Sequence, residues 1–213
     1  MSVLLADATR HAQGLRAGLL EACERVEIAG SIRRRKPLVK DIELVLIPRW
    51  GTEQVQGQID LFAAAPPERP VNLAQQAIEA MPGVEVIKPG THDLVPWHLN
   101  PEGRYWRLWL PEAQMRVDVF VCTPETWGLN YMIRTGSGVG PSGRPDDGFA
   151  PAMLVRWKQV SGGGQARGAQ LYDGAVQLRP TPEETDVFEA CRVRWVPPEA
   201  RTSAAAVAVY ALP

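Results

Sequence analysis

The sequence predicts an α+β fold, and two kinds of pattern support this. Near the N-terminus, apolar residues recur at three- and four-residue steps, as on one face of a helix. Further along, short segments alternate or run apolar in the manner of strands. The length of 213 residues suits one domain or a compact pair of subdomains, and 45% hydrophobic with 22% charged residues is an ordinary globular balance. We therefore expect a folded chain with a substantial core.

Charge, cysteine content and hydropathy narrow the class of protein. The formal net charge is -1, so bulk charge alone would not hold nucleic acid, although the first fifty residues carry nine Lys/Arg against six Asp/Glu. Cys23, Cys122 and Cys191 are odd in number and far apart, which favours buried, reduced thiols. No apolar run is long enough to span a bilayer, and no signal peptide is evident. We expect a cytoplasmic monomer without membrane contact.

In the N-terminal half, the patterns predict a helix, two strands with a basic turn between them, a loop and a second helix. The second helix has Asn72 as its N-cap and ends at Pro82-Gly83. The elements are a helix over 4–23, the strand "VEIAGS" ending at Gly30, the strand "DIELVLIP", a surface loop over 51–70 and the helix "NLAQQAIEAM".

The C-terminal half continues with strands and then becomes mainly helical. "MRVDVFVC" alternates strictly, so one of its faces is core and the other carries Arg116, Asp118 and Phe120. For the last helix, Thr181 is the expected N-cap and Glu184 completes a capping box. The other elements are the strands "VEVIK" and "RYWRLWLP", the helices "TWGLNYMI" and "APAMLVRWKQ", the Gly-rich loop 135–148 and the hairpin "YDGAVQL".

Acidic side chains on two of these strands form a candidate metal site. Asp41 and Glu43 are two residues apart in a strand and leave the same face. Carboxylates this close repel each other unless a cation balances them. Asp118 could supply a third ligand if its strand neighbours the first, which would describe a two-ion magnesium site. Taken singly, each acid is also what the solvated face of an antiparallel sheet would carry.

The turn before Asp41 is a candidate phosphate site. Gly30 lets the backbone approach a phosphate, Ser31 donates through its N–H and hydroxyl, and Arg34 can form a bidentate fork. A Gly-Ser pair followed by arginines could equally be a basic turn in water. A strand, Gly-Ser, arginines and then a carboxylate pair is the order that binding a metal-bridged triphosphate requires.

The same residues resemble the family X DNA polymerases, the group of DNA polymerase beta within the nucleotidyltransferase fold. That family's signature is Gly-Ser-x-Arg-Arg-Gly followed after a fixed gap by Asp-x-Asp, and a third catalytic Asp lies on a later strand. Similarity covers nearly all of residues 24–201. The matching blocks are "GSIRRR", "DIE", "RVDVFV", "RTGS" and the C-terminal "LYDGAVQLRPTPEETDVFEACRVRWVPPEAR".

The resemblance implies a nucleotidyltransferase palm over 1–130, with a mixed or antiparallel sheet and flanking helices, and a small α/β thumb over 131–213. It implies two Mg²⁺ or Mn²⁺ ions and a nucleoside triphosphate whose monophosphate is added to a DNA 3′ end, in gap filling or repair. Binding to DNA should be weak without an accessory partner.

The resemblance also assigns roles to residues. Asp41, Glu43 and Asp118 would hold the metals, and Asp118 would help to activate the 3′-hydroxyl. Arg116 would lie beside the primer terminus. The nucleotide-binding residues would be Gly30, Ser31, Arg34, Lys40, Thr135 and Gly136.

The chain departs from the family pattern at several of these positions. Glu43 stands in place of an Asp, Arg35 in place of a Gly, and Ile133 and Arg134 in place of an aromatic pair. Two alternatives therefore stay open. One is a nucleotidyltransferase acting on RNA, protein or a small molecule, and the other is a non-catalytic nucleotide- or nucleic-acid-binding module of the same fold.

Overall fold

The computed structural model describes residues 2–54, 68–90, 94–174 and 176–213. The helices are α1 (Leu5–Leu19), α2 (Gly30–Arg33), α3 (Leu73–Glu79), α4 (Trp127–Thr135), α5 (Phe149–Val160), α6 (Glu184–Ala190) and α7 (Ala204–Tyr210). The strands are β1 (Val3–Leu4), β2 (Cys23–Ile28), β3 (Leu38–Val39), β4 (Asp41–Pro48), β5 (Trp50–Gln54), β6 (Glu68–Asn72), β7 (Glu85–Ile87), β8 (Tyr105–Leu110), β9 (Met115–Val121), β10 (Gln165–Arg167), β11 (Gln170–Asp173) and β12 (Gln177–Arg179).

A five-stranded mixed sheet organises the N-terminal part, and its strand order is β2-β4-β9-β8-β7. β4 and β9 run parallel, whereas the other neighbouring pairs are antiparallel. A parallel pair needs a long crossover, which here includes β5, β6, α3, β7 and β8. The predicted α+β class and the mixed sheet with flanking helices are confirmed.

Helices α1 and α3 cover one face of this sheet. The apolar stripe of α1 is buried at Ala8, Ala12, Leu15 and Leu19, as its three- and four-residue spacing predicts. The sheet contributes Ile42, Leu44, Leu46, Val117, Val119, Trp106 and Leu108 to the same core. Each fully buried Leu or Val of this kind stabilises the fold by about 1.5–3 kcal/mol.

The opposite face of the sheet is polar at one end and apolar at the other. Its apolar end packs Val45, Ile47, Phe120 and Cys122 against Trp127 at the start of α4. A separate core, built from residues 129 onward, joins α4, α5, α6 and α7. Helix α4 therefore bridges the sheet and the C-terminal helices. The division into palm and thumb at residue 130 stays a prediction.

Most predicted elements are present, but several predicted bounds and one predicted cap need correction. The helix predicted over 4–23 ends at Leu19, and Cys23 already begins β2. The surface loop predicted over 51–70 is wrong at both ends, because β5 and β6 pair there as antiparallel strands; residues 55–67 lie outside the described part of the chain. The strand "VEIAGS" ends at Ile28, and Gly30 instead begins the short helix α2.

The capping prediction for α6 is also wrong. Glu183, not Thr181, is the N-cap, and its capping-box partner is Asp186. Thr181 instead joins α6 to α4, since its carbonyl accepts a hydrogen bond from Gly128 N–H at 2.7 Å. At α3 the prediction holds, because the Asn72 side chain accepts the N–H of Gln75.

The three cysteines are free and buried, as expected. Burial raises the pKa of each thiol to about 12. Among the described residues, no helix is both long enough and apolar enough to cross a membrane.

Candidate active site

The parallel pairing of β4 and β9 places the three predicted carboxylates on one face of two neighbouring strands. Glu43 is directly opposite Asp118, and Asp41 is opposite Arg116. Because side chains alternate along a strand, Asp41, Glu43 and Asp118 all lie on the sheet face away from α1. The neighbour relation that the sequence left open is therefore present.

Glu43 is half-buried and lies directly against Gly30. A Cβ atom at Gly30 would come within 1.9 Å of Glu43 Oε2, and Gly30 adopts a φ of +63°. Both facts require glycine there. Burial, and then the charge of Asp41, raise the pKa of Glu43 to about 7, while Arg34 and Arg134 oppose the rise. The Glu43 carboxylate is thus enclosed and close to the negative charge of Asp41, so a bound cation would stabilise its charged form.

Asp41 and Asp118 have different surroundings. Burial and the charge of Asp118 raise the pKa of Asp41, against the effects of Arg116 and Lys40. Asp118 Oδ1 accepts hydrogen bonds from Tyr105 Oη at 2.6 Å and from Arg107 Nε at 3.0 Å. Two donors on β8 therefore fix the Asp118 carboxylate.

The turn after β2 lies beside these acids through α2. Arg34, just after α2, donates a hydrogen bond to the carbonyl of Thr135 at the end of α4. Within the described ranges, its Nε and the hydroxyl of Ser31 are buried without a hydrogen-bond partner. Buried donors of this kind are rare, and they mark places where a ligand can bind.

The neighbouring arginine, Arg33, has a structural contact instead. Its Nη1 and Nη2 each donate to the Glu184 carboxylate at 2.7 Å, and its guanidinium lies 3.8 Å from the ring centroid of Tyr131. Glu184 also accepts from Arg201, whose side chain is fully buried. The resulting Arg33–Glu184–Arg201 cluster connects the basic turn to α6 and to the C-terminal segment.

The other predicted site residues are more varied in placement. Arg116 is half-buried on β9, and Lys40 is exposed. Thr135 is fully buried, and its Oγ1 accepts from Arg33 Nη1 at 2.7 Å. Gly136 ends α4, with its N–H donating to Met132. Gly30 and Arg34 lie beside Glu43, whereas the Thr135 side chain is already engaged by Arg33.

Two cavities open at the site. One of about 890 Å³ is lined by Glu43, Asp118 and Phe120 and extends to Trp50 and the turn at residues 168–170. The other, of about 280 Å³, is lined by Arg34, Arg134 and Gly136 together with apolar residues of α5. Glu43 and Arg134 border both cavities.

The carboxylates suit a hard cation in their chemistry, because Mg²⁺ and Mn²⁺ take oxygen ligands. A cation would also offset the burial, and then the repulsion from a neighbouring carboxylate, that raise the pKa of Glu43 and of Asp41. In the described ranges, however, no group of three or more His, Cys, Asp or Glu side chains is gathered as a metal-holding set. The donors share one face but do not converge as they stand.

Sequence reasoning missed Tyr105 and Arg107 as members of this site. The alternation in "RYWRLWLP" does place Tyr105 and Arg107 on one face, opposite Trp106 and Leu108. That they would meet Asp118 depends on the β8–β9 register, which pairs Arg107 with Asp118.

Comparison with known proteins gives no assignment. No protein-family model matches the chain, and no curated protein matches it significantly.

Proposed function

We propose that the chain is a metal-dependent nucleotidyltransferase of the family X type, with a palm-like N-terminal part and a thumb-like C-terminal part. It would transfer a nucleoside monophosphate to a DNA 3′ end. In this reaction the 3′-oxygen forms a bond to the α-phosphorus, the bond to the bridging oxygen breaks, and pyrophosphate leaves.

The observation that carries the proposal is the β4–β9 register beside the Gly30 turn. It places Glu43 opposite Asp118 on the face that also holds Asp41, and Gly30 touches the Glu43 carboxylate. Phosphoryl transfer requires positioning and charge neutralisation more than covalent chemistry by the protein. Acids and phosphate donors at one place are the parts that such a reaction uses.

The residues have distinct roles in the proposed reaction. Asp41, Glu43 and Asp118 would hold Mg²⁺ or Mn²⁺, and bound ions would neutralise the phosphate charge. Ser31 and Arg34 offer buried donors without partners to the phosphates. Gly30 and the backbone near Lys40, together with Thr135 and Gly136, would line the nucleotide site.

Two further residues would act around Asp118. Tyr105 and Arg107 orient its carboxylate through their hydrogen bonds, so that Asp118 can accept the proton of the 3′-hydroxyl. Arg116, opposite Asp41 in the sheet, would contact the primer terminus. The location we propose is cytoplasmic and the active form a monomer.

A second function is favoured by a specific observation. Among the described residues, Ser31 Oγ and Arg34 Nε are buried without a hydrogen-bond partner, and such donors would hold the phosphates of a nucleotide in a non-catalytic binding module as well as in an enzyme.

One assay separates these functions. The protein is incubated with Mg²⁺ or Mn²⁺, labelled nucleoside triphosphates and single-stranded, primed or gapped DNA. Asp118→Ala is run in parallel, with Asp173→Ala as a control at an exposed carboxylate that pairs with Arg179. The proposal expects extension by the wild type and the control but not by Asp118→Ala.

Other outcomes redirect the assignment. Extension by Asp118→Ala at the wild-type rate would refute the role of this carboxylate. If no DNA is extended but label moves to RNA, protein or a small acceptor, the acceptor assignment is wrong. Nucleotide binding without any transfer would favour the non-catalytic module.

A further inference from the structure

Two arginines with a buried donor that lacks a partner among the described residues line one cavity with Glu43. In the described part of the chain, four side-chain nitrogen or oxygen atoms are buried without a hydrogen-bond partner: Ser31 Oγ, Arg34 Nε, Trp127 Nε1 and Arg134 Nε. Leaving such a donor unsatisfied costs about 1–3 kcal/mol, so native proteins contain few of them. Ser31 and Arg34 belong to the turn already described. Arg134 comes from a different element, α4.

The guanidinium of Arg134 is held in a defined plane. It lies 3.7 Å from the ring centroid of Phe120, which is itself buried on β9. Stacking of this kind holds a guanidinium without using any of its N–H groups. The Phe120 ring thus positions the Arg134 guanidinium without accepting a hydrogen bond from its N–H groups.

Arg134 lies close to the acids of the candidate site, since it lines one cavity with Glu43. Burial lowers the pKa of Arg134, whereas the charges of Glu43 and Asp118 raise it. Arg34 has the same pattern, with burial opposed by Glu43 and Asp41. Two arginines on different elements therefore share Glu43 as a counter-charge, and each has a buried Nε with no hydrogen-bond partner among the residues that the structure describes.

Arg34 and Arg134 face the same cavity, so one bound ligand could contact both of them. Both line the cavity of about 280 Å³ together with Glu43, and the rest of its lining carries no side-chain charge: Ile133, Gly136, Gly138, Ala150, Pro151 and Leu154. An anion in this cavity would meet two guanidinium groups against the one carboxylate of Glu43, and its charged hydrogen bonds would come from the arginines.

We propose that Arg134 is a second phosphate-binding arginine, which together with Arg34 binds one polyphosphate chain in this cavity. Phe120 positions Arg134 for this contact. The inference rests on the proposed function, since it names a further residue for the substrate's phosphates. The resemblance does not supply the role, because the family has an aromatic residue at this position. Arginine forks match the oxygens of a polyphosphate, and each charge-assisted hydrogen bond is stronger than a neutral one.

The test measures polyphosphate binding without metal or DNA. Isothermal titration calorimetry in EDTA uses inorganic tripolyphosphate, pyrophosphate and a nucleoside triphosphate as separate ligands. The variants are R134Q, R134K and R34Q, and the control is R144Q, an exposed arginine paired with Asp146. Unfolding temperature is recorded for each protein to verify folding.

The proposal expects R134Q and R34Q each to raise the Kd for tripolyphosphate about tenfold or more, as the loss of a charged hydrogen bond implies. R134K should bind with intermediate affinity, because it keeps the charge but loses the planar fork. R144Q should bind like the wild type. F120L should weaken binding several-fold, since it removes the ring that holds Arg134.

Three results would overturn the inference. One is unchanged tripolyphosphate binding by folded R134Q while R34Q is weakened, and a second is no binding by the wild type. The third is a defect confined to the nucleoside triphosphate, because Arg134 would then contact the sugar or base. Nucleotide transfer with Mg²⁺ is measured separately. If polyphosphate binds as expected but no acceptor is extended, the proposed function fails while the role of Arg134 stands.

Discussion

Replacing Glu184 with alanine should destabilise the protein strongly, because Glu184 is the shared acid of two arginines. Its side chain is 6% exposed, that of Arg201 is 0% exposed and that of Arg33 is 17% exposed. Removing one partner of a buried ion pair leaves an uncompensated charge and costs about 3–5 kcal/mol. Arg201 keeps only part of its hydrogen bonding, through its Nε bond of 2.8 Å to the Val196 carbonyl.

The assay is urea unfolding at pH 7, followed by circular dichroism. Glu189→Ala is a matched control, since Glu189 is exposed on the same helix and its loss should change stability by no more than about 0.5 kcal/mol. A double variant with Arg201→Ala should lose less than the sum of the single losses, because removing both partners leaves less buried charge unpaired. If Glu184→Ala lost less than about 1 kcal/mol, or no more than Glu189→Ala, the reasoning about the buried cluster would be refuted.

Gly30→Ala should lower the free energy of unfolding by roughly 2–4 kcal/mol, because Gly30 has a φ of +63° and an added Cβ would meet Glu43. Gly83→Ala is the control: its φ is +72° but the space around it is open, so it should lose only about 1 kcal/mol. Equal losses in urea unfolding would contradict this. Arg35 adopts a φ of 55°, which is a left-handed backbone conformation that glycine tolerates better than alanine. Arg35→Gly should therefore be more stable than Arg35→Ala by about 1 kcal/mol in the same assay, and equal stabilities would count against backbone strain at this position. Burial and a raised pKa leave little accessible thiolate at Cys23, Cys122 and Cys191. The folded protein should therefore react with a thiol reagent at pH 8 at least ~100-fold more slowly than the urea-unfolded protein, and rapid reaction of the folded protein would disprove this.

The sequence predicted the strands that carry the acids, because hydrophobic alternation directly reflects burial. It could not establish that these strands are neighbours. The pairing of Glu43 with Asp118 joins residues far apart in the chain, and no local pattern encodes a parallel register. Tyr105 and Arg107 were missed for the same reason, since their contact with Asp118 depends on a second register.

Local chemistry was also ambiguous at two places. The segment "TPEETD" contains two overlapping capping patterns, one from Thr181 to Glu184 and one from Glu183 to Asp186. Tertiary contacts decide between them, because Glu184 is taken by the buried arginines. In "GSIRRR" the arginines look alike in the sequence, and only the fold separates Arg33, paired with Glu184, from Arg34, which reaches the end of α4.

The assignment of Asp41, Glu43 and Asp118 as the catalytic carboxylates is tested most directly by one rate. It is the single-turnover rate of nucleotide addition to a primed DNA with Mg²⁺, compared between the wild type and Asp118→Asn. This substitution keeps an oxygen that can accept from Tyr105 and Arg107 but removes the negative charge. We predict a fall in rate of roughly a thousandfold, about 4 kcal/mol, with an unfolding temperature close to that of the wild type. Asp118→Asn activity within tenfold of the wild type would contradict the assignment of these carboxylates as the catalytic site.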